Sequence, residues 1–138
     1  MNELLQLALD AHGGLENWRK VKRVDIGLNL SGFLFEKKKH PDGLNNVLLS
    51  VDTKHMRTLI SPFPARGFQG VFENGKVFIK TDAGKIDSEM DNPRESYEGH
   101  TRETPWTDLQ FLYFIGYAFC VLELPEYAIY PHVRGRKD

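Results

Sequence analysis

The spacing of apolar residues along the chain predicts a helical start followed by a run of strands. Residues 2–21 carry apolar side chains at helical spacing, with Asn2 in position to cap the first helix and a glycine pair to end it before a second, shorter one. From Arg23 the spacing changes to every second residue, which is typical of strands with one buried and one wet face. The Asn74-Gly75 pair predicts a tight hairpin. Strands joined by short turns indicate an antiparallel sheet in an α+β domain.

Two segments after the first predicted strand complicate this pattern. Residues 33–35 are apolar and aromatic, and we expect them to continue the strand beyond a bulge at Gly32. The basic run at residues 37–40 comes just before a Pro-Asp-Gly turn. We therefore expect this run to be the solvated end of a strand.

The most apolar stretch of the chain, residues 104–119, predicts a buried helix. Thr104 can act as its N-cap and Pro105 suits its first position. The stretch is apolar nearly all round, so the helix must be buried on more than one side. It is too short and too interrupted by polar residues to be an integral membrane segment. The sequence thus predicts a curved antiparallel sheet, a partial half-barrel, with an N-terminal helix and this apolar helix packed in its concave face.

Composition narrows the class of protein. The chain has 138 residues, enough for one domain, and its 41% apolar and 27% charged content is ordinary for a globular protein. Eighteen basic and nineteen acidic residues give a net charge of −1, which offers no case for binding nucleic acid or an anionic membrane. The single cysteine, Cys120, excludes an intramolecular disulfide, and we expect it to be a buried apolar residue. The first residues do not form a secretion signal, so the expected location is cytoplasmic.

Candidate catalytic chemistry is confined to one histidine. His100 lies between Glu98 and Glu103, and a histidine beside a carboxylate can act as a general base. We expect His12 to cap its helix end and His55 to face solvent. The sequence contains no phosphate loop, nucleophile elbow or histidine pair at metal-binding spacing, and it predicts no cofactor and no metal.

Aromatic residues supply the stronger functional signal. The simplest hypothesis is that they fill a core of large side chains. An alternative is that the concave face is incompletely filled and binds a hydrophobic or lipid-like small molecule. Under this hypothesis the candidate ligand-binding residues are Trp18, Leu28, Phe33, Phe35, Phe78, Trp106, Leu109 and Tyr113. A small enzyme using His100, or a purely structural or interaction domain with no ligand, remain open alternatives, and the sequence does not predict an oligomeric state.

Several motifs in residues 3–119 resemble those of a known group of proteins. They are the Ala-His-Gly-Gly-Leu-Glu-Asn-Trp-Arg run at residues 11–19, Asn-Pro-Arg at 92–94, Gly-His-Thr at 99–101, Pro-Trp at 105–106 and Gly-Tyr at 116–117. In this order they resemble a group of bacterial proteins related at fold level to the lipoprotein-carrier superfamily (LolA-like and LolB-like). The resemblance implies an open antiparallel half-barrel with helices in its concave face. The carriers use this cavity for acyl chains, and the resemblance implies no catalytic residues.

The resemblance ends abruptly after Phe119. The similar proteins run longer and complete the sheet with further strands, whereas residues 120–138, which include His132, form an atypical tail. We therefore expect residues 1–119 to be the N-terminal part of a half-barrel in a C-terminally truncated chain. A frameshift after about Phe119 would account for the tail, and the nucleotide sequence of the gene tests that hypothesis.

Overall fold

The structure is a computed structural model that describes residues 2–123, with side chains described as far as Cys120. The helices are α1 (Glu3–Ala11), α2 (Leu15–Lys20), α3 (Phe33–Lys37) and α4 (Asp108–Glu123), with a 3-10 turn at Glu95–Tyr97. The strands are β1 (Arg23–Leu30), β2 (Leu44–Asp52), β3 (Arg57–Ser61), β4 (Phe68–Glu73), β5 (Lys76–Thr81) and β6 (Ile86–Met90).

The six strands form one open antiparallel sheet in sequence order. Short turns make this order possible, because antiparallel neighbours need only a hairpin between them. The predicted hairpin at Asn74 and Gly75 is confirmed: both residues have positive φ, 50° and 82°, as the mirror-image turn requires. Successive side chains of a strand point to opposite faces, so the pairing register decides which side chains meet the helix; the register shifts once between β1 and β2 and once between β5 and β6.

Helix α4 packs against one face of the sheet, which we call the inner face. Leu112 and Ile115 are fully buried there, and Gly116 lies directly against Phe72 of β4. The apolar residues of this core come from α3, α4, the inward positions of β2 to β5 and the loop after β3. Buried in it are Phe35, Leu44, Val47, Leu49, Val51, Ile60, Phe63, Phe72, Val77, Ile79, Phe111, Leu112, Ile115 and Cys120. The predicted α+β fold, with an apolar helix on an antiparallel sheet, is confirmed.

The N-terminal helix forms as the sequence predicts. The Asn2 side chain accepts a hydrogen bond from the Leu4 amide at 2.8 Å, and the Gly14 amide donates to the Leu9 carbonyl at 2.8 Å to close the C-terminal end. His12 accordingly hydrogen-bonds the Ala8 carbonyl through Nδ1 at 2.8 Å. The helix buries no residue, however.

The prediction that residues 33–35 continue the first strand is wrong. These residues form α3, which follows Gly32 at a φ of 149° that other residues rarely adopt. The helical turn carries Phe35 into the core, where its ring centroid lies 5.4 Å from that of Phe111. Burial of one large aromatic side chain thus outweighs the strand propensity of an apolar, aromatic run.

The predicted start of the apolar helix is also wrong. Helix α4 begins at Asp108, because Thr107 and Gln110 form a capping box. The Gln110 amide donates to Thr107 Oγ1 at 3.2 Å, and the Thr107 amide donates to Gln110 Oε1 at 2.9 Å. Thr104 accepts a hydrogen bond from the Thr101 amide instead. The predicted boundary after Phe119 falls inside α4, and residues 124–138, with His132, lie outside the described residues.

Candidate functional site

Lys38, at the end of α3, fastens the loop before α4. Its side chain is only 7% exposed, and Nζ donates hydrogen bonds to the carbonyls of Thr101 (3.0 Å) and Thr104 (3.1 Å). The ammonium also lies 5.3 Å from the ring centroid of Trp106, whose amide donates to the Lys38 carbonyl. The prediction that the basic run at residues 37–40 is a solvated strand end is therefore wrong. A buried ammonium needs acceptors, and the loop carbonyls supply them.

His40 is held in the same place by two different contacts. Its ring stacks on Phe111 with a centroid distance of 4.5 Å, and Nε2 lies 2.7 Å from the Trp106 carbonyl oxygen. Because a carbonyl only accepts, Nε2 carries the hydrogen of this bond. In the neutral ring Nδ1 therefore has a free lone pair, and the nearest carboxylate oxygen, Asp108 Oδ1, is 4.0 Å from it. The side chain of His40 is 16% exposed.

His40, Asp108 and Phe111 border a cavity of about 210 Å³ at the N-terminal end of α4. Its inner wall is apolar, because it includes core side chains such as Val47, Phe63 and Phe111. The carboxyl of Asp108 is about half exposed, which places it where the cavity meets solvent. The lining residues are His40, Asp42, Gly43, Leu44, Asn45, Val47, Pro62, Phe63, Pro64, Ala65, Asp108 and Phe111. An apolar recess with a few polar groups is the usual form of a small-molecule site.

The structure brings together only part of the ligand-binding set predicted from the sequence. Phe35, Trp106, Leu109 and Tyr113 pack against the core around the first half of α4, and Leu28 packs against it from β1. None of these five lines the cavity.

Three members of the predicted set lie elsewhere. Phe33 is 69% exposed, with the Lys37 ammonium over its ring, and Trp18 is half-buried on α2 outside the core. Phe78 is on the outer face of the sheet, because its neighbours Val77 and Ile79 point inward to the core. These residues do not share a face with the cavity.

His100 does not form the pair that the enzyme hypothesis needs. Its ring contacts Tyr97 at 5.5 Å between centroids, and Nδ1 is buried with no hydrogen-bond partner among the described residues. Glu103 pairs with Lys37 at 3.4 Å, and within residues 2–120 no carboxylate lies at ion-pair distance from His100. A general base has to reach the proton that it removes, so this geometry lends the hypothesis no support.

An arginine and three tyrosines join the loop after β6 to the far side of α4. Arg94 donates from Nε to the Tyr113 hydroxyl at 2.8 Å, and this hydrogen bond raises the pKa of the Arg94 guanidinium. The guanidinium also lies over the ring of Tyr117. The Tyr97 hydroxyl donates to the Gln110 carbonyl at 2.6 Å, and burial raises the pKa of this tyrosine. These contacts hold the loop that carries Trp106, and so the carbonyl that orients His40.

Two other features of the described residues are structural. Cys120 is buried as predicted, and its Sγ lies 3.1 Å from Thr58 Oγ1. Because burial raises the pKa of the Cys120 thiol, the thiolate needed for nucleophilic chemistry is disfavoured. A shallow depression of about 320 Å³ lies at the irregular pairing of β1 and β2. The residues that line it are Gly27, Leu28, Asn29, Asn46, Val47, Leu48 and Ser61, so the predicted ligand-binding residue Leu28 borders this depression and not the cavity beside His40. The depression is more open to solvent than that cavity.

Other kinds of site are not found in this part of the chain. Residues 2–123 contain no cluster of three or more histidine, cysteine or acidic side chains placed to hold a metal ion. No described helix is both long and apolar enough to cross a bilayer. Comparisons with protein-family models, with curated proteins and with solved structures found no match for this chain. The relationship to the lipoprotein-carrier superfamily stays a prediction from the sequence.

Proposed function

We propose that this protein is a binding domain for a small hydrophobic molecule, which it holds in the cavity beside His40. The observation that supports this proposal is the continuity between the cavity wall and the core. Phe63 and Phe111 are both nearly fully buried, yet both border the cavity. A ligand here would contact the inner face of the sheet at Val47, although none of the ligand-binding residues predicted from the sequence lines this cavity.

The size of the cavity limits the ligand. Its volume of about 210 Å³ lies below the range of drug-sized sites. A whole acyl chain does not fit in that space, so the proposal is for a compact molecule rather than a lipid. The proposed binding function does not depend on the cytoplasmic location or the half-barrel ancestry predicted from the sequence.

Binding is preferred over catalysis because the side chains that line the cavity include no hydroxyl, thiol or amine nucleophile. Among the described residues that line it, none is serine, threonine, cysteine, lysine or tyrosine. His40 lies 4.0 Å from the Asp108 carboxylate, outside hydrogen-bond distance, and one of its nitrogens is occupied by a backbone carbonyl. The side chains are therefore suited to hold and orient a molecule.

A titration with a neutral probe tests this proposal. Benzyl alcohol is added to the isotopically labelled protein to millimolar concentration while amide resonances are followed by NMR. We expect saturable shifts centred on Leu44, Val47, Phe63 and Ala65, which lie around the cavity. Shifts that grow linearly without saturation, or saturable shifts centred on another part of the fold, would contradict the proposal.

A further inference from the structure

The mouth of the cavity carries an excess of negative charge. Asp42 and Asp108 both line it, and among the described lining residues none is lysine or arginine. Two lysines of the same segment have other partners, because Lys38 donates to the loop carbonyls and Lys37 pairs with Glu103. A charged ligand group at this mouth therefore meets two carboxylates, and no lysine or arginine among the described lining residues balances them.

The side chains at the mouth also offer mainly hydrogen-bond acceptors. The two carboxylates only accept when ionised, and the N–H of His40 is already donated to the Trp106 carbonyl, which leaves the Nδ1 lone pair. Asn45 adds an amide that can both donate and accept. A ligand that donates hydrogen bonds is therefore matched here, whereas a ligand that only accepts, such as a carboxylate, is repelled.

The apolar wall of the cavity favours a ligand with an apolar body. Resting on the proposed function, we infer that the cavity selects a small organic cation: an amine whose ammonium lies between His40 Nδ1 and the Asp108 carboxylate, and whose short apolar body enters toward Phe63. Aromatic rings at the wall favour a cationic group further. Compact primary amines with one ring or a short branched chain belong to this class.

Two probes of nearly equal shape, one cationic and one neutral, separate the effect of ligand charge on affinity from the effect of ligand shape. Benzylamine and benzyl alcohol are titrated in turn into the same protein, and their dissociation constants are compared by NMR. We expect benzylamine to bind at least about ten-fold more tightly. In the Asp108→Asn variant this ratio should fall below about three-fold, while Asp87→Asn, an equivalent change at an exposed position of β6, should leave it unchanged.

Asp108 lies in the first turn of α4, where its carboxylate also stabilises the helix. A second variant, away from the helix, therefore separates ligand binding from helix stability. Asp42→Asn removes the other carboxylate of the mouth without touching that helix, and it should likewise reduce the ratio. Equal affinities for the two probes in the unmodified protein, or a ratio that survives both substitutions, would overturn the inference while leaving the cavity as a binding site. Absence of saturable binding by either probe would overturn the proposed function itself.

Discussion

Lys38 shows how a single buried cation organises the surroundings of the site. Its ammonium takes two carbonyl acceptors from the same loop, at Thr101 and Thr104, and the backbone of Lys38 accepts from the Trp106 amide. The loop in turn supplies the carbonyl that sets the hydrogen position of His40. The orientation of the histidine at the cavity therefore depends on a lysine that lines no part of it.

Replacing Lys38 should therefore destabilise the fold more than replacing its neighbour. Lys38→Met keeps an apolar stem but leaves two carbonyls without a donor, and we expect a loss of about 2 kcal/mol in the free energy of unfolding measured with urea. Lys39→Met, at an exposed position one residue along, is the control and should change it by less than about 0.5 kcal/mol. Equal losses in the two variants would show that the contacts of Lys38 do not contribute.

The positions of Lys38 and His40 could not be predicted from local sequence. A run of three lysines before a Pro-Asp-Gly turn is ordinarily solvated, and nothing nearby indicates acceptors. Those acceptors lie more than sixty residues away in sequence. In contrast, the roles of His12 and Cys120 follow from their immediate neighbours, and both predictions are confirmed.

At the scale of elements, the start of α4 sets the wall of the cavity. Thr107 caps the helix, which begins at Asp108, through the capping box that it forms with Gln110. The side-chain Nε2 of Gln110 also donates to the carbonyl of Ser96 at 3.2 Å and to its Oγ at 3.1 Å. One buried glutamine thus joins the 3-10 turn to the helix start. The Thr-x-x-Gln spacing at residues 107–110 is present in the sequence, but Thr104 and Pro105 form an equally good helix start three residues earlier.

Loss of this cap should be measurable. We expect Thr107→Ala to reduce the free energy of unfolding by about 1 kcal/mol, because the Gln110 amide loses its acceptor. Thr107→Ser keeps the hydroxyl and should stay within about 0.5 kcal/mol of the unmodified protein. Urea unfolding followed by circular dichroism makes the comparison, and an alanine variant as stable as the serine variant would place the helix start elsewhere.

The contact between α4 and the sheet rests on the absence of a side chain at Gly116. A Cβ added there would lie 2.4 Å from Cβ of Phe72, an atom fixed close to the backbone of β4. Helix and sheet would have to move apart, because neither side of this contact can rotate away. The sequence predicted helix and strand separately, but their closest approach is a property of the assembled pair.

Gly116→Ala should accordingly destabilise the protein by about 1–3 kcal/mol despite the better helix propensity of alanine. Gly27→Ala is the matched control, because Gly27 has open space around it in β1, and it should be neutral or slightly stabilising. Thermal and urea unfolding of the two variants provides the measurement. A Gly116→Ala variant as stable as the control would mean that α4 lies farther from β4 than the structure indicates.

At the scale of the whole molecule, the two predicted helical regions differ in how they meet the sheet. Helix α4 buries residues such as Leu112 and Ile115 completely, whereas α1 exposes Leu4 (75%) and Leu7 (67%). The local sequence predicted that both helices exist, although it placed the ends of the apolar helix differently from those of α4. Which helix covers the inner face depends on long-range packing, and so does the place where that packing leaves a cavity.

The same distinction applies to the candidate site. The sequence led to the inner face and to aromatic residues, and Phe35, Trp106, Leu109 and Tyr113 do pack together around α4. It did not lead to the cavity, because the residues that line it come from three separate segments brought together only by the fold. No local motif joins a histidine after α3, the loop after β3 and the first turn of α4.

The most direct test of the account is to close the cavity without disturbing the core. Ala65 is an exposed residue at the cavity, so Ala65→Phe places a large side chain at its mouth, and Ala83→Phe makes the same change at an exposed turn elsewhere. The affinity of each variant for benzyl alcohol is measured by NMR titration. We predict that Ala65→Phe weakens binding by at least about ten-fold and that Ala83→Phe leaves it unchanged. Equal affinities in the two variants would contradict a binding site beside His40.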